Sequence, residues 1–207
     1  GVGRSVLAAN IAVLLARHGR TLLCDFDLEA PGLHRIADLS TSRENRGGLF
    51  EWLLDWQEKR HFDPPSARDL DALARCALPA EKQDRLFLLP AHATHANPAQ
   101  LYQAVDWSRF LVDDPDLGLA MLRALLGHLC TAHDFRYLIL DARTGITDVG
   151  GFLAALLPDV TVLVGNYGAQ NTGGLKGVWE GLRAHADDSR RRQKAQEVGT
   201  VTGELPA

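Results

Sequence analysis

The chain has 207 residues, of which 46% are hydrophobic and 23% are charged, and its net charge is −4. This composition favours one well-packed domain and excludes a disordered acidic tail and a strongly basic nucleic-acid coat. No apolar run reaches the roughly 18–20 residues that span a bilayer, so we expect no membrane segment. Three widely spaced cysteines without a Cys-x-x-Cys pair argue against a disulfide framework or a zinc knuckle, and favour a cytoplasmic location.

The hydrophobic pattern predicts helices that alternate with short apolar strands. The predicted helices cover residues 5–18, 49–59, 67–76, 99–105, 117–133, 147–157 and 175–192. The predicted strands cover residues 21–26, 85–90, 136–141 and 160–165. Because each strand is an apolar run, we expect it to be buried on both faces. The sequence therefore predicts an α/β doubly wound fold with a mostly parallel sheet flanked by helices, formed by residues 1–187 and followed by a polar tail, 188–207.

Acidic residues follow two of the predicted strands. Asp25 is the penultimate residue of the strand over 21–26 and Asp27 lies just beyond that strand, while Asp141 ends the strand over 136–141. Ligands of parallel α/β sheets bind at the carboxyl ends of the strands. We therefore expect these three carboxylates at one edge of the sheet, beside a ligand.

A glycine-rich turn, Gly1-Val2-Gly3-Arg4-Ser5, leads straight into the first predicted helix. Glycines allow the backbone N–H groups to surround a phosphate, and the helix N-terminus adds partial positive charge. A basic residue followed by Ser or Thr is typical of the end of a phosphate-binding loop, whose hydroxyl coordinates Mg²⁺. Such loops follow a strand, so we expect a further, central strand upstream of Gly1. The alternative is a plain glycine turn in which Ser5 caps the helix.

A rival interpretation uses the same glycines. Gly1-x-Gly3-x-x-Val6 resembles a dinucleotide-binding fingerprint, and Asp25 lies about 20 residues further on, where a ribose-binding acid belongs. Val6 replaces the third glycine of that fingerprint. This interpretation also leaves the segment Asp141-Ala-Arg-Thr-Gly without a role.

Three motifs in order resemble the deviant Walker A ATPases of the ParA/MinD (SIMIBI) class, and most of all the branch whose loop ends in Gly-Arg. The first motif is the glycine loop, and the second is Leu22-Leu-Cys-Asp-Phe-Asp-Leu-Glu-Ala-Pro-Gly-Leu. The third, Tyr137-Leu-Ile-Leu-Asp-Ala-Arg-Thr-Gly, is similar to a signature that usually reads Asp-Ser-Arg-Thr-Gly. The resemblance extends from Gly1 to about Arg183, and three motifs at suitable spacing are more specific than one.

The resemblance implies a role for each matching residue. Residues of the phosphate site would be Gly1, Val2, Gly3, Arg4, Ser5, Val6 and, through a backbone N–H to the γ-phosphate, Gly145. Metal-site residues would be Ser5, Asp141 and Asp25, the last holding either the metal shell or the geometry of its loop. Asp27 would orient the attacking water, and Arg4 would neutralise charge during transfer.

The same resemblance implies an ATP-dependent switch with Mg²⁺ as its cofactor. Mg²⁺-ATP would close a homodimer, hydrolysis would release it, and an attached or partner effector domain would read the state. The signature lysine of the class would lie upstream of Gly1, and Arg4 stands where the loop usually has Lys, so we expect slow hydrolysis. Two alternatives stay open: a NAD- or FAD-binding module and a catalytically degenerate interaction domain.

Other candidate residues favour structural roles. His92 and His95 have a spacing that can bind metal, but the sequence nearby offers no acid or thiol companion. Trp52 and Trp56 are four residues apart on a predicted helix and are expected in the core. The basic run Arg190-Arg191-Arg192 with Lys194 gives no support for DNA binding on an acidic chain, and the tail lacks the periodicity of a membrane-binding helix.

Overall fold

The computed structural model describes seven stretches of the chain, residues 3–28, 30–36, 47–60, 63–109, 115–142, 158–165 and 173–184. The chain divides into two compact units, Gly1–Arg143 and Thr144–Ala207, and the boundary lies inside the span predicted as one domain. Among the described helices, none combines the length and the apolar character that crossing a membrane requires.

Most of the described elements lie close to their predicted positions. The helices are α1 (Arg4–Ala16), α2 (Leu49–Arg60), α3 (Ala67–Ala74), α4 (Pro98–Ala104), α5 (Pro115–Ala132) and α6 (173–184). The strands are β1 (Thr21–Phe26), β2 (Leu78–Pro79), β3 (Leu86–Leu89) and β4 (Tyr137–Ala142). A single 3₁₀ turn, Leu33–Arg35, follows β1.

The four strands form one sheet in the order β2-β3-β1-β4. β1 pairs in parallel with β3 on one side and with β4 on the other, while β2 is antiparallel to β3. All six residues of β1 are buried, as expected for a strand covered on both faces. The predicted α/β class, a mostly parallel sheet flanked by helices, is confirmed.

The register of β1 against β4 determines where the acids meet. Asp25 is the direct partner of Asp141, and Phe26 is the partner of Ala142. Because both strands run the same way, their carboxyl ends lie side by side. The predicted convergence of acids from two strands at one sheet edge is therefore present.

Helix α1 packs on the sheet through its smallest side chains. Ala9, Ala12 and Ala16 are buried and belong to the core cluster with Leu23 of β1 and Leu88 of β3. The larger apolar residues of this helix, spaced along one face from Leu7, do not form its buried face, since Leu7 is 38% exposed and Leu14 is 54% exposed. Because alanine side chains are small, the helix axis can approach the strands closely, and the alanine face packs directly on the sheet.

Helices α2 to α5 pack on one another beside the sheet. α2 contacts α3 and α4, and α3 contacts α5. Trp52 and Trp56 of α2 are buried, and their rings stack with centroids 6.1 Å apart. Their indole N–H groups donate to the backbone carbonyls of Asp69 and Asp63. The prediction that these tryptophans belong to the core is confirmed.

The strands differ from the prediction in two places. In the described part of the chain, residues 161–165 do not form a strand, and Val160 and Val162 are 78% and 58% exposed, so their apolar run is not a buried strand. Short apolar runs become strands only where a neighbouring backbone offers hydrogen bonds. Conversely, β2 was not predicted, because it has only two residues and one is a proline, which a sheet accepts at an edge. The predicted helix over 147–157 and the polar tail lie outside the described residues.

Candidate functional site

The glycine turn ends at Gly3, directly before α1. Gly3 has a φ of 78° and a ψ of 15°, a left-handed conformation that favours glycine, and its carbonyl accepts the N–H of Leu7 at 3.0 Å. A Cβ at this position would meet no atom within 4 Å, so conformation and not space requires the glycine. The turn leaves the positive end of the α1 dipole facing the edge of the sheet where the acids lie.

Arg4 joins two carboxylates across this edge. Its Nε donates to Oδ1 of Asp141 at 3.0 Å, and its Nη2 donates to Oδ2 of Asp27 at 2.6 Å. The Asp141 side chain is 1% exposed, and those of Arg4 and Asp27 are 19% and 14% exposed. The first residue of α1 and the ends of β1 and β4 are thus tied together by two charge-assisted hydrogen bonds.

Asp25 organises the loop that follows β1. Its Oδ2 accepts the backbone N–H groups of Gly32 at 3.0 Å and Leu33 at 3.1 Å, and its Oδ1 accepts that of Asp27 at 3.3 Å. The side chain is buried, and burial raises its pKa from 3.8 to about 6; the three N–H groups oppose this shift and the charge of Asp141 adds to it. Of the two roles expected for Asp25, the contacts show the one that holds loop geometry.

Asp27 is held from two sides. While its Oδ2 binds Arg4, its Oδ1 accepts the N–H of Ala30 at 3.3 Å, and its own N–H is bound by Asp25. The backbone carbonyl of Asp27 accepts the same Ala30 N–H at 3.2 Å. The carboxylate is therefore oriented toward the N-terminus of α1 by the turn that carries it.

The remaining predicted residues divide into two groups. Ser5 and Val6 lie in the first turn of α1, where Ser5 is half-buried and Val6 is 56% exposed. Gly1, Val2 and Gly145 lie outside the described residues. The structure thus brings together Gly3, Arg4, Asp25, Asp27 and Asp141, the residues that form the described part of the candidate site.

The donor set of this edge suits a phosphate and a hard cation. Carboxylate and hydroxyl oxygens, available from Asp27, Asp141 and Ser5, are the ligands that Mg²⁺ prefers. The planar guanidinium of Arg4 and the N-terminal N–H groups of α1 are suited to a phosphate anion. The residues present therefore fit both groups that the sequence predicts.

A second cluster of polar side chains was not predicted. Asp71 of α3 lies within hydrogen-bonding distance of His128 and His133, which come from the end of α5 and from the loop after it. His92, one of the two histidines whose spacing in the sequence could bind metal, packs edge-on against His34 with ring centroids 5.8 Å apart. Only a fold that places α3 beside α5 could have revealed the cluster.

Comparison with known proteins supports the fold alone. No family model matches the chain, and no curated protein matches it. Among solved structures, the VpsO kinase domain is similar with a TM-score of 0.52 and 22% identity, covering 89% of this chain and 73% of that one. The chimerical protein CapA2B2 is similar with a TM-score of 0.51 and 21% identity, covering 90% of this chain and 67% of that one. At this identity, the likeness shows that the chain shares their α/β architecture.

Proposed function

We propose that the protein is a Mg²⁺-ATP-binding switch of the ParA/MinD type that hydrolyses ATP slowly and closes as a homodimer. The observation that carries the proposal is the double ion pair of Arg4 with Asp27 and Asp141 at the N-terminus of α1. These contacts bring the end of the glycine loop and the two acids to one place, and phosphoryl transfer needs a phosphate loop, a water-orienting acid and a metal-binding acid close together. The motifs of the sequence and the shared α/β architecture point in the same direction.

Each residue of the edge has one task in this proposal. The backbone N–H groups at the start of α1 bind phosphate oxygens, and Gly3 allows the turn that aims them. The Ser5 hydroxyl and the Asp141 carboxylate hold Mg²⁺. Asp27 accepts a hydrogen bond from the attacking water and orients it. ATP, bound with its metal, supplies the phosphoryl group and the cation that offsets its charge.

Arg4 gives a physical reason for slow turnover. Its guanidinium occupies both acids, and it must exchange these two carboxylates for phosphate oxygens before Asp27 and Asp141 are available. Breaking two charge-assisted hydrogen bonds adds to the barrier unless the phosphates replace both. A lysine, with one compact ammonium group, would not bridge the two acids with separate nitrogens.

The two alternatives make different use of the same contacts. A dinucleotide-binding module needs the Asp25 carboxylate to reach a ribose hydroxyl, but both of its oxygens accept backbone N–H groups of its own loop. A degenerate interaction domain is compatible with Arg4 neutralising both acids permanently. The experiment therefore has to distinguish a protein that binds ATP, a protein that binds NADH and a protein that binds neither.

Calorimetric titration of the protein with Mg²⁺-ATP, ATP plus EDTA and NADH tests the proposal. We expect binding of Mg²⁺-ATP that weakens about tenfold or more in Ser5→Ala, a loss of roughly 1.4 kcal/mol. The matched control Asn10→Ala, an exposed position of the same helix, should bind as the wild type does. In Asp27→Ala, ATP binding should persist while phosphate release is lost.

Each other outcome selects an alternative. NADH binding without a metal requirement would replace the proposal with the dinucleotide-binding module. A folded protein that binds neither ligand would leave the interaction domain. Light scattering on Asp27→Ala, which would hold ATP unhydrolysed, should show the mass of a dimer with Mg²⁺-ATP and of a monomer without it.

A further inference from the structure

Two imidazole rings lie within hydrogen-bonding distance of one carboxylate oxygen, in a cluster that includes neither Asp27 nor Asp141. Nε2 of His128 lies 2.6 Å from Oδ1 of Asp71, and Nε2 of His133 lies 3.1 Å from the same atom. The two rings stand edge to face with centroids 5.4 Å apart. Among the residues that the structure describes, this trio forms a group whose ligand atoms all lie within 4.8 Å of one another.

Helices α3 and α5, which carry Asp71 and His128, are anchored in the core. In α3, Ser66 and Asp69 form a reciprocal capping box at the N-terminus, and Leu70 and Leu73 are buried. In α5, Leu125 and Leu129 are fully buried, on either side of His128 along the helix. Because these anchors hold the two helices against each other, Asp71 and His128 are positioned before any ligand arrives.

His133 reaches the cluster because α5 ends at Ala132. On a continuous helix, five residues correspond to a rotation of about 140° away from His128. Instead, Asp134 has a φ of 54°, and the N–H of buried Phe135 donates back to the carbonyl of Leu129 at 3.4 Å. The chain therefore reverses immediately after His133 and leaves its ring on the side of His128 and Asp71.

We propose that Asp71, His128 and His133 bind one divalent transition-metal ion of the Zn²⁺ class. Two imidazole nitrogens with one carboxylate are a donor set of such ions, whereas Mg²⁺ and Ca²⁺ select oxygen ligands. Tetrahedral bonds of about 2.1 Å place neighbouring ligand atoms about 3.4 Å apart. The two Asp71–histidine separations need to open by less than about 1 Å to reach this geometry.

The exposure of the three side chains agrees with the assignment. The Asp71 and His133 side chains are 42% and 30% exposed, while that of His128 is 15% exposed. The ion would enter from the solvent side, and water would complete its coordination. Three protein ligands with an open position are typical of reactive rather than purely structural zinc sites.

Calorimetric titration with ZnCl₂ tests the site in the full 207-residue chain, without a histidine tag, after treatment with EDTA and its removal. A large excess of Mg²⁺ keeps Zn²⁺ away from the acids around Arg4. We expect one Zn²⁺ per chain. His128→Gln and His133→Gln should each weaken Zn²⁺ binding more than about 100-fold. Removing a residue that only orients a metal ligand weakens binding by about 100-fold at most, so a larger loss indicates a direct ligand. His18→Gln, an exposed histidine outside the cluster, should bind as the wild type does.

Thermal unfolding provides an independent readout. Zn²⁺ should raise the Tm of the wild type and of His18→Gln, because the ion binds only the folded arrangement of α3 and α5. The double variant His128→Gln/His133→Gln should show no shift, and near-UV circular dichroism establishes that it is folded. If the wild type does not bind Zn²⁺ stoichiometrically, or if the folded double variant binds equally well, the trio is a hydrogen-bonded cluster and the proposal is wrong.

Discussion

Arg4 determines the electrostatics of the sheet edge where Asp27 and Asp141 lie. The Asp141 side chain is almost completely buried, and a buried carboxylate is costly unless a cation and hydrogen bonds accompany it. Arg4 supplies both, and a second nitrogen of the same guanidinium serves Asp27. The planar fork of the arginine links two acids that a single ammonium group would not bridge in the same way.

Asp25 should make the stability of the protein depend on pH. Burial raises its pKa to about 6 in the folded state, against 3.8 ordinarily, so between about pH 4 and 6 the folded chain binds more protons than the unfolded chain. The contribution of Asp25 to stability is therefore full below about pH 4 and declines as the pH rises through 6. The shift corresponds to roughly 3 kcal/mol.

The variant Asp25→Asn isolates this effect. The amide cannot ionise, and it cannot accept all three backbone N–H groups, so the variant should be less stable than the wild type at pH 4. Its disadvantage should shrink by up to roughly 3 kcal/mol at pH 7 to 8, because only the wild type carries a buried charge there. Urea denaturation at several pH values measures the difference, and two parallel curves would contradict the prediction.

At the scale of elements, α2 is joined to the loop after β3 through backbone contacts. The N–H groups of Leu49 and Phe50 donate to the carbonyls of Pro90 and Ala91 at 3.1 and 2.8 Å. Glu51 accepts the N–H groups of Gly48 and Ala93 at 2.9 and 3.0 Å. A carboxylate in the first turn also complements the helix dipole. The start of α2 is therefore held directly against the loop that follows β3.

Gly48 makes this close approach possible, and Gly48→Ala should destabilise the fold. A Cβ there would lie 2.6 Å from the backbone nitrogen of His92 and 2.7 Å from the carbonyl carbon of Ala91, atoms that cannot move without displacing the loop. We expect a loss of about 1–3 kcal/mol in the free energy of unfolding, measured by urea denaturation.

Gly47→Ala is the matched control for that measurement. Its Cβ would lie 3.4 Å from Sγ of Cys76, an ordinary van der Waals contact. The control should therefore cost clearly less than Gly48→Ala. Equal losses at the two positions would show that backbone contact at α2 is not what requires the glycine.

At the scale of the whole molecule, β1 is the centre of the sheet. It lies between β3 and β4, and every one of its residues is buried. Such a strand becomes accessible only when the surrounding unit opens as a whole. Cys24, in the middle of β1, is therefore a probe of global unfolding.

Alkylation by iodoacetamide should distinguish the three cysteines. Burial raises the pKa of Cys24 strongly, and it raises that of half-buried Cys76 to a smaller extent, while Cys130 is exposed. Since the thiolate is the reactive form, Cys130 should be modified first, Cys76 more slowly, and Cys24 only as fast as the protein unfolds. Mass spectrometry of peptides from native and urea-treated protein measures the three rates. Modification of Cys24 at the rate of Cys130 in native protein would contradict the buried position of β1.

The spacing of apolar and polar residues along the chain was sufficient to predict most of the order of helices and strands. It also predicted the part of the candidate site formed by Gly3 and the acids at the strand ends. The apolar run from Thr21 to Phe26 predicted β1 at its observed bounds, and the acids at the ends of two such runs were expected at one edge of a parallel sheet, where the neighbouring strands β1 and β4 place them. Gly3 before an apolar periodic segment likewise predicted the start of α1. These features depend on residues that are neighbours along the chain, so side-chain type and spacing carry the information.

Tertiary structure alone decided which partners those residues have. Arg4 meets Asp141 across 137 residues, and Asp71 meets His128 across 57. The buried face of α1 was likewise decided by close packing on the sheet, which selects alanines over the more conspicuous leucines. The sequence by itself determined the α/β class and the edge of the sheet where charge collects. The ion pairs of Arg4 and the cluster around Asp71 form only when distant segments of the chain pack together. The spacing of residues within one element does not encode the contacts between two elements.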